Sequence, residues 1–189
     1  MTYKVGIITL SDKGSRGERE DKSGPAIREM LETQGGQTGD GQPKYEVVSQ
    51  VLLPGDQILL EGVLIGMCDE EGIDLILTTG GTGFSQRDIT PEATYAVATK
   101  NAPGIAEYMR AKSFEITPKA MLSRGASVIR NQTLIINLPG SPKAVRENLG
   151  FILPALDHGL DILLGRDGEC GSDGNHAHGS HHHGGHDHV

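Results

Sequence analysis

The sequence predicts an α/β fold: a three-layer α/β/α sandwich whose central sheet is mostly parallel with one antiparallel strand. Three observations lead there. Short apolar, β-branched runs alternate with amphipathic helical segments along the first half of the chain, the order that builds a parallel sheet with helices on its faces. The run "DLILTT" (Asp74–Thr79) has an unbroken apolar centre, Leu75–Leu77, with no alternating charged position, as a strand covered on both faces requires. Later, "ASVIR" and "TLIINL" stand two residues apart, which reads as a hairpin and so turns one strand against the rest.

Taken in order, Tyr3–Leu10 ("YKVGIITL") is a short apolar strand that ends in Ser11-Asp12. The polar stretch Asp12–Ser23 is expected as a loop. Pro25–Glu32 has helical spacing, with Ile27, Met30 and Leu31 on one face. A glycine-rich surface loop, "QGGQTGDGQPK", leads to the second strand, Tyr45–Leu53. Gln57–Cys68 is a helix carrying Ile58, Leu59, Val63, Leu64 and Met67, and Asp74–Thr79 is the third strand. Thr90-Pro91-Glu92 starts a helix, with threonine as cap and proline at the first helical position, where its missing N–H costs nothing. Another helix is expected over Gly104–Phe114. Ala126–Arg130 and Thr133–Leu138 flank the Asn131-Gln132 turn. Ser141-Pro142 repeats the cap-plus-proline pattern and opens a helix, and Pro154–Gly165 reads as a last amphipathic helix.

With 189 residues, one domain is expected. A domain of that size buries roughly 70% of its unfolded surface and folds without staples. Of the two cysteines, Cys68 lies in an apolar helical stretch and Cys170 in a polar one, so no disulfide framework is indicated. No apolar run approaches the ~20 residues of a membrane span. The N-terminus enters a strand at once and lacks a signal-peptide cleavage pattern. A soluble, cytoplasmic protein without membrane contact is expected. Net charge is −8, yet all 17 Lys and Arg fall within residues 1–166, while residues 167–189 hold four acids and no Lys or Arg. A mildly acidic body with no basic run argues against nucleic-acid binding. Composition changes abruptly after Arg166. Residues 167–189 are low-complexity, without an apolar face, and are expected to be a disordered, histidine-rich tail to a 1–166 domain.

Open sheets bind ligands beyond the carboxyl ends of their strands. Three such ends carry unusual chemistry, "LSD", "TTGGTG" and "NLPGSP", and they are expected to meet in one cleft. Gly80, Gly81 and Gly83 let the backbone bring N–H groups to an anion, and Thr78, Thr79 and Thr82 add hydroxyls. The plain alternative is a tight turn with no ligand. Neither the Walker pattern nor the dinucleotide fingerprint is present. Asp88 beside a phosphate loop would repel the ligand unless Mg²⁺ lies between them; alternatively it caps a turn or pairs with Arg87. Asp56 raises the same question, against the simpler reading of a helix N-terminal acid. Asn137, Pro139, Gly140, Ser141 and Lys143 form a strand end, a turn and a capped helix start, a second anion site. Ser11 and Asp12 close the first strand, where a simple Asx or Ser turn is the alternative.

In this order and spacing, "TTGGTG", "RDITPEAT", "PGIAEYMR", "LSR" and "LPGSPKAV" resemble the MogA-type molybdopterin adenylyltransferases of molybdenum cofactor synthesis. The resemblance covers about residues 4–160. It implies the MogA-like three-layer fold, homotrimers, and attack of the terminal phosphate of molybdopterin on the α-phosphate of Mg-ATP, with pyrophosphate leaving. It also implies a molybdenum-insertion protein as a partner in the pathway. Asp88 occupies the position of a catalytic aspartate of the family. A second family aspartate follows a proline at the end of strand two. There this chain reads Pro54-Gly55-Asp56, so a gap-free match puts Gly55 in the acid's place and Asp56 one residue later. Asp56 is taken as the functional acid, and Asp88 and Asp56 as the Mg²⁺ ligands.

Attacking and leaving groups would both be phosphates, so charge neutralisation and in-line positioning are needed rather than a protein nucleophile. Two other classes stand beside the enzyme: a non-catalytic molybdopterin-binding scaffold on the same fold, and a metal carrier acting through the tail. Seven of the eight histidines, His176, His178, His181, His182, His183, His186 and His188, lie in the last 14 residues. Imidazole suits Ni²⁺ or Zn²⁺ far better than Mg²⁺.

Overall fold

A computed structural model describes residues 1–166. The tail and its seven histidines lie outside the described residues. Strands β1 (Tyr3–Leu10), β2 (Tyr45–Leu53), β3 (Leu75–Thr79), β4 (Lys100–Asn101), β5 (Ser127–Arg130) and β6 (Thr133–Leu138) form one sheet in the order β2-β1-β3-β6-β5-β4. β2, β1, β3 and β6 pair in parallel; β5 runs antiparallel to both β6 and β4. The helices are α1 (Asp12–Ser15), α2 (Ser23–Gln34), α3 (Gln57–Ile65), α4 (Thr90–Ala96), α5 (Pro103–Phe114) and α6 (Pro142–Leu163).

The period-2 alternation of side chains splits each central strand between two cores. Val5, Ile7, Leu75, Leu77, Leu134 and Ile136 pack with α2, α5 and α6. Ile8, Ile76 and Ile135 pack with Leu60 and Leu64 of α3 and with Ala93 of α4 on the opposite face. Both faces of β1, β3 and β6 are therefore covered and β3 is buried throughout, while the edge strand β2 leaves Glu46, Val48 and Gln50 exposed.

Four expectations need correction, and one strand, β4, was not expected. Asp12–Ser23 is not all loop: Ser11 accepts a hydrogen bond from the Gly14 amide and caps the single turn α1. The helix expected over 57–68 stops at Ile65 and continues as a π turn over Gly66–Glu70. Thr90 is not the cap of α4 but its first residue. Its hydroxyl is drawn to the carbonyl of Gly80 at 2.9 Å, and Ile89 takes the cap position. The two C-terminal helices are one, with Pro154 inside a 22-residue helix. Strand β4 has no apolar residue to announce it and pairs through its backbone with β5.

Candidate active site

The parallel register sets Thr9 beside Thr79 and Thr79 beside Leu138, so the ends of β1, β3 and β6 finish side by side. The loops that follow are tied together. The Gly80 amide donates to the Leu138 carbonyl at 3.4 Å, the Thr79 hydroxyl to the Pro139 carbonyl at 2.7 Å, and the Ser23 hydroxyl to the Gly140 carbonyl at 2.7 Å. A ridge built from residues 79–81 and 139–141 results, with a cavity on either side. One, of about 490 Å³, is polar and is lined by Ser11, Arg19, Lys22, Ser23, Gly80 and Gly140. The other, of about 320 Å³, has apolar walls from Met109 and Leu122, the cations Arg110 and Lys119, and the loop residues Thr82 and Gly83.

The expected residues divide by what their side chains do. Thr78 and Asn137 are buried under the ridge. The Asn137 amide donates to the hydroxyls of Thr78 (3.0 Å) and Thr94 (2.9 Å) and accepts from the Ala126 amide (3.0 Å). They shape the base of the loops. Thr79 is spent on Pro139 in the same way. Thr82, Gly80, Gly83, Pro139, Gly140 and Ser11 line the two cavities. Ser141 caps α6 by accepting from the Ala144 amide at 3.2 Å, as its position before Pro142 requires. Lys143 points into solvent near Glu147, at 3.8 Å.

The carboxylates are arranged around the same strand ends. Asp12 is held bidentately by Arg87, at 2.9 and 2.7 Å, and accepts from the Gly55 amide at 2.9 Å. These bonds, the guanidinium's first, hold its carboxyl well below the usual carboxylate range. Arg87 therefore pairs with Asp12, not with Asp88. Asp88 lies against the glycine loop: its Oδ2 accepts from the Ser85 amide at 2.9 Å, closing a turn, and among the described residues its Oδ1 takes no hydrogen bond. Asp56 caps α3, accepting from the Leu59 amide at 3.0 Å, and is exposed. At Gly55 a Cβ would meet the Arg87 carbonyl at 2.7 Å. The glycine that displaces the acid by one position is thus the residue that lets the two loops close on each other.

Two contributors are not among the expected site residues. Asp21 accepts from the amides of Ser23 and Gly24 and from the Thr9 hydroxyl, fixing the start of α2 beside the polar cavity. The "DKSG" stretch carries a cap signal, an acid just ahead of a helix, that points to it. Arg124 donates to the carbonyls of Gly83 and Asp88 from 41 and 36 residues away, and no local signal reveals that.

The chain matches the MoCF_biosynth family, described as "Probable molybdopterin binding domain", over residues 6–158. It is 45% identical over 165 residues to the molybdopterin adenylyltransferase of Helicobacter pylori strain J99, covering 87% of this chain and 90% of that one. It is 43% identical over 148 residues to the molybdopterin adenylyltransferase of Escherichia coli strain K12, covering 78% and 72%. Among solved structures it resembles the molybdopterin biosynthesis enzyme MoaB of Thermus thermophilus, with 46% identity, a TM-score of 0.78 and coverage of 87% and 98%.

Proposed function

Because the chain belongs to this molybdopterin-binding domain family, we propose that it is a molybdopterin adenylyltransferase of molybdenum cofactor biosynthesis. The observation that carries the reading is the family match over residues 6–158, which takes in all three strand-end loops and both cavities.

The reaction joins two phosphorylated molecules, ATP and molybdopterin, so it needs adjoining pockets whose phosphate ends meet. The polar and the apolar cavity flank the 79–81 and 139–141 ridge and supply such a pair. Backbone N–H groups of the glycine loop and the N-terminus of α6 would hold phosphate oxygens without reorganising as charge develops. Arg110 and Lys119 share one cavity with Glu147, and Arg19 and Lys22 share the other with Glu20 and Asp21, so cations are present at both rims without making either wholly basic. Asp12 is neutralised by Arg87 and so adds little repulsion.

A magnesium ion held largely by substrate phosphates is compatible with Asp88 at the glycine loop, although neither Asp88 nor Asp56 lines either cavity. Among the described residues no three His, Cys, Asp or Glu side chains cluster, but Mg²⁺ is commonly bound by one or two carboxylates plus substrate phosphates. Gly83 leaves room for such a carboxylate, since a Cβ there would stand 2.9 Å from Asp88 Oδ2. Asp88 and Asp56 would hold the ion, and the ion would neutralise charge between the two phosphate groups. The protein is further read as a homotrimer acting in the cytoplasm, with the molybdenum-insertion protein of the same pathway as partner. Residues 167–189 are read as a tail outside the catalytic domain, binding Ni²⁺ or Zn²⁺ through its histidines.

The test is pyrophosphate release with purified protein, ATP and Mg²⁺, with and without molybdopterin. Release that requires both substrates is the expected result. Tight binding of molybdopterin with no release would instead identify a scaffold.

A further inference from the structure

The loop carrying Asp88 has almost nothing apolar to hold it. Phe84 is 72% exposed, and Ser85, Gln86 and Arg87 are exposed as well. At its base the loop is closed by Thr90, whose amide donates to the Gly81 carbonyl at 3.1 Å and whose hydroxyl donates to Gly80. Its middle is held at two points: Arg87 pairs bidentately with Asp12, and Arg124 ties down the backbone. The Arg124 amide donates to the Thr82 carbonyl at 2.9 Å, its Nε to the Gly83 carbonyl at 2.7 Å, and its Nη2 to the Asp88 carbonyl at 2.6 Å. Nη1 pairs with Glu92 on α4, which keeps the guanidinium plane facing the loop. One planar fork thus spans the loop from Gly83 to Asp88, the two points between which the Asp88–Ser85 turn is made.

We propose that Arg124 is the positioning residue of the site: by bridging the carbonyls of Gly83 and Asp88, it holds the Asp88 carboxylate where the phosphates and their metal meet. It does so from outside, touching no reacting atom. It also links the two halves of the site, because it directly follows the 3₁₀ turn Pro118–Leu122 and Ser123, whose Lys119, Leu122 and Ser123 line the apolar cavity. Lysine cannot replace it, because an ammonium is a point donor and cannot span two carbonyls in one plane. The proposal rests on the adenylyltransferase reading and deepens it.

The experiment compares Arg124→Lys, Arg124→Ala and Glu92→Gln in the full chain. Three quantities are read: thermal midpoint, the Mg²⁺ concentration giving half-maximal pyrophosphate release, and Mn²⁺ binding in the presence of a non-hydrolysable ATP analogue, which needs no turnover. Loss of a residue that orients a metal ligand typically costs about 10–100-fold in metal affinity or activity. Arg124→Lys should keep its thermal midpoint within a few degrees, while its half-saturating Mg²⁺ and its Mn²⁺ dissociation constant both rise by about tenfold or more. Glu92→Gln, which keeps both carbonyl bonds, should stay close to the parent in metal dependence. Added guanidinium ion should restore part of the rate to Arg124→Ala. Parental metal dependence in Arg124→Lys would overturn the proposal. So would equal metal defects in Arg124→Lys and Glu92→Gln, since the ion pair rather than the carbonyl bridge would then matter. If the parent protein binds Mn²⁺ with the analogue but releases no pyrophosphate, the adenylyltransferase reading fails, and the Mn²⁺ data still decide the role of Arg124.

Discussion

Asp88 lends one carboxylate oxygen to the Ser85 amide, and Asp56 lends one to the Leu59 amide at the head of α3. Asparagine preserves the shape of both and removes only the charge. Asp88→Asn should therefore remain folded and lose about 10²–10³ in rate, the usual effect of removing one charge-stabilising group. A near-parental rate in a protein of unchanged thermal midpoint would remove Asp88 from the chemistry. Asp56→Asn is a cleaner test than alanine, because asparagine caps a helix as well as aspartate does, whereas alanine would cost about 1 kcal/mol of helix stability. A loss of rate at constant stability is expected if the acid displaced by Gly55 still serves the metal. An unchanged rate would leave Asp12 as the remaining carboxylate at these strand ends. Chemistry that depends on local wording was legible from the sequence: the glycine loop, Ser141 before Pro142, and the meeting of three strand ends. Asp21 has only a local cap signal in "DKSG", and Arg124 stands in "LSR", but its reach to the carbonyls of Gly83 and Asp88, 41 and 36 residues away, is set by the fold alone.

Among the elements, the principal strands could be read almost to the residue, since each is an apolar run bounded by turn chemistry. The hairpin turn followed from Asn131, whose φ of 54° is one that asparagine tolerates. Strand β4 escaped because Lys100 and Asn101 contribute only backbone to the sheet. Thr90 escaped because the same hydroxyl that could cap a helix found a better-placed carbonyl at Gly80. Helix α6 was divided at Pro154 because proline removes one i→i−4 hydrogen bond and normally breaks a helix. Here Leu153, Leu156 and Leu160 continue the apolar stripe on the sheet across the break, and packing overrides propensity. Pro154→Ala should restore the missing bond and raise stability by about 1–3 kcal/mol, read as a higher thermal midpoint. A lower midpoint would mean that the proline's packing outweighs the lost bond. The hydroxyl of Tyr45 is buried and has no hydrogen-bond partner among the described residues. Tyr45→Phe, which removes it without opening a cavity, should be at least as stable as the parent, and a loss of more than about 1 kcal/mol would reveal a partner.

Across the whole molecule, among the described residues, four of the ion pairs that join distant parts of the chain bear on acid stability: Asp12–Arg87, Asp69–Arg130, Glu92–Arg124 and Asp157–Lys44. In each the cation holds the carboxyl below its ordinary value. Their stabilisation is complete above the unfolded carboxylate range, near pH 4, and is lost as pH falls through the lowered folded values. The thermal midpoint should be nearly level from pH 7 to about 5 and fall steeply below about 4, more so at low salt. A midpoint unchanged at pH 3 would contradict this. Truncation after Arg166 should abolish Ni²⁺ and Zn²⁺ binding by titration and leave adenylylation intact; loss of adenylylation would give the tail a catalytic part. The central claim is that this sheet edge transfers an adenylyl group to a pterin phosphate. Its most direct measurement is the mass of the pterin recovered after incubating the protein with molybdopterin, ATP and Mg²⁺. The account predicts a pterin heavier by one adenylyl unit, formed together with pyrophosphate and absent when Asp88→Asn replaces the parent. Recovery of unmodified molybdopterin from a protein that binds it would contradict the account.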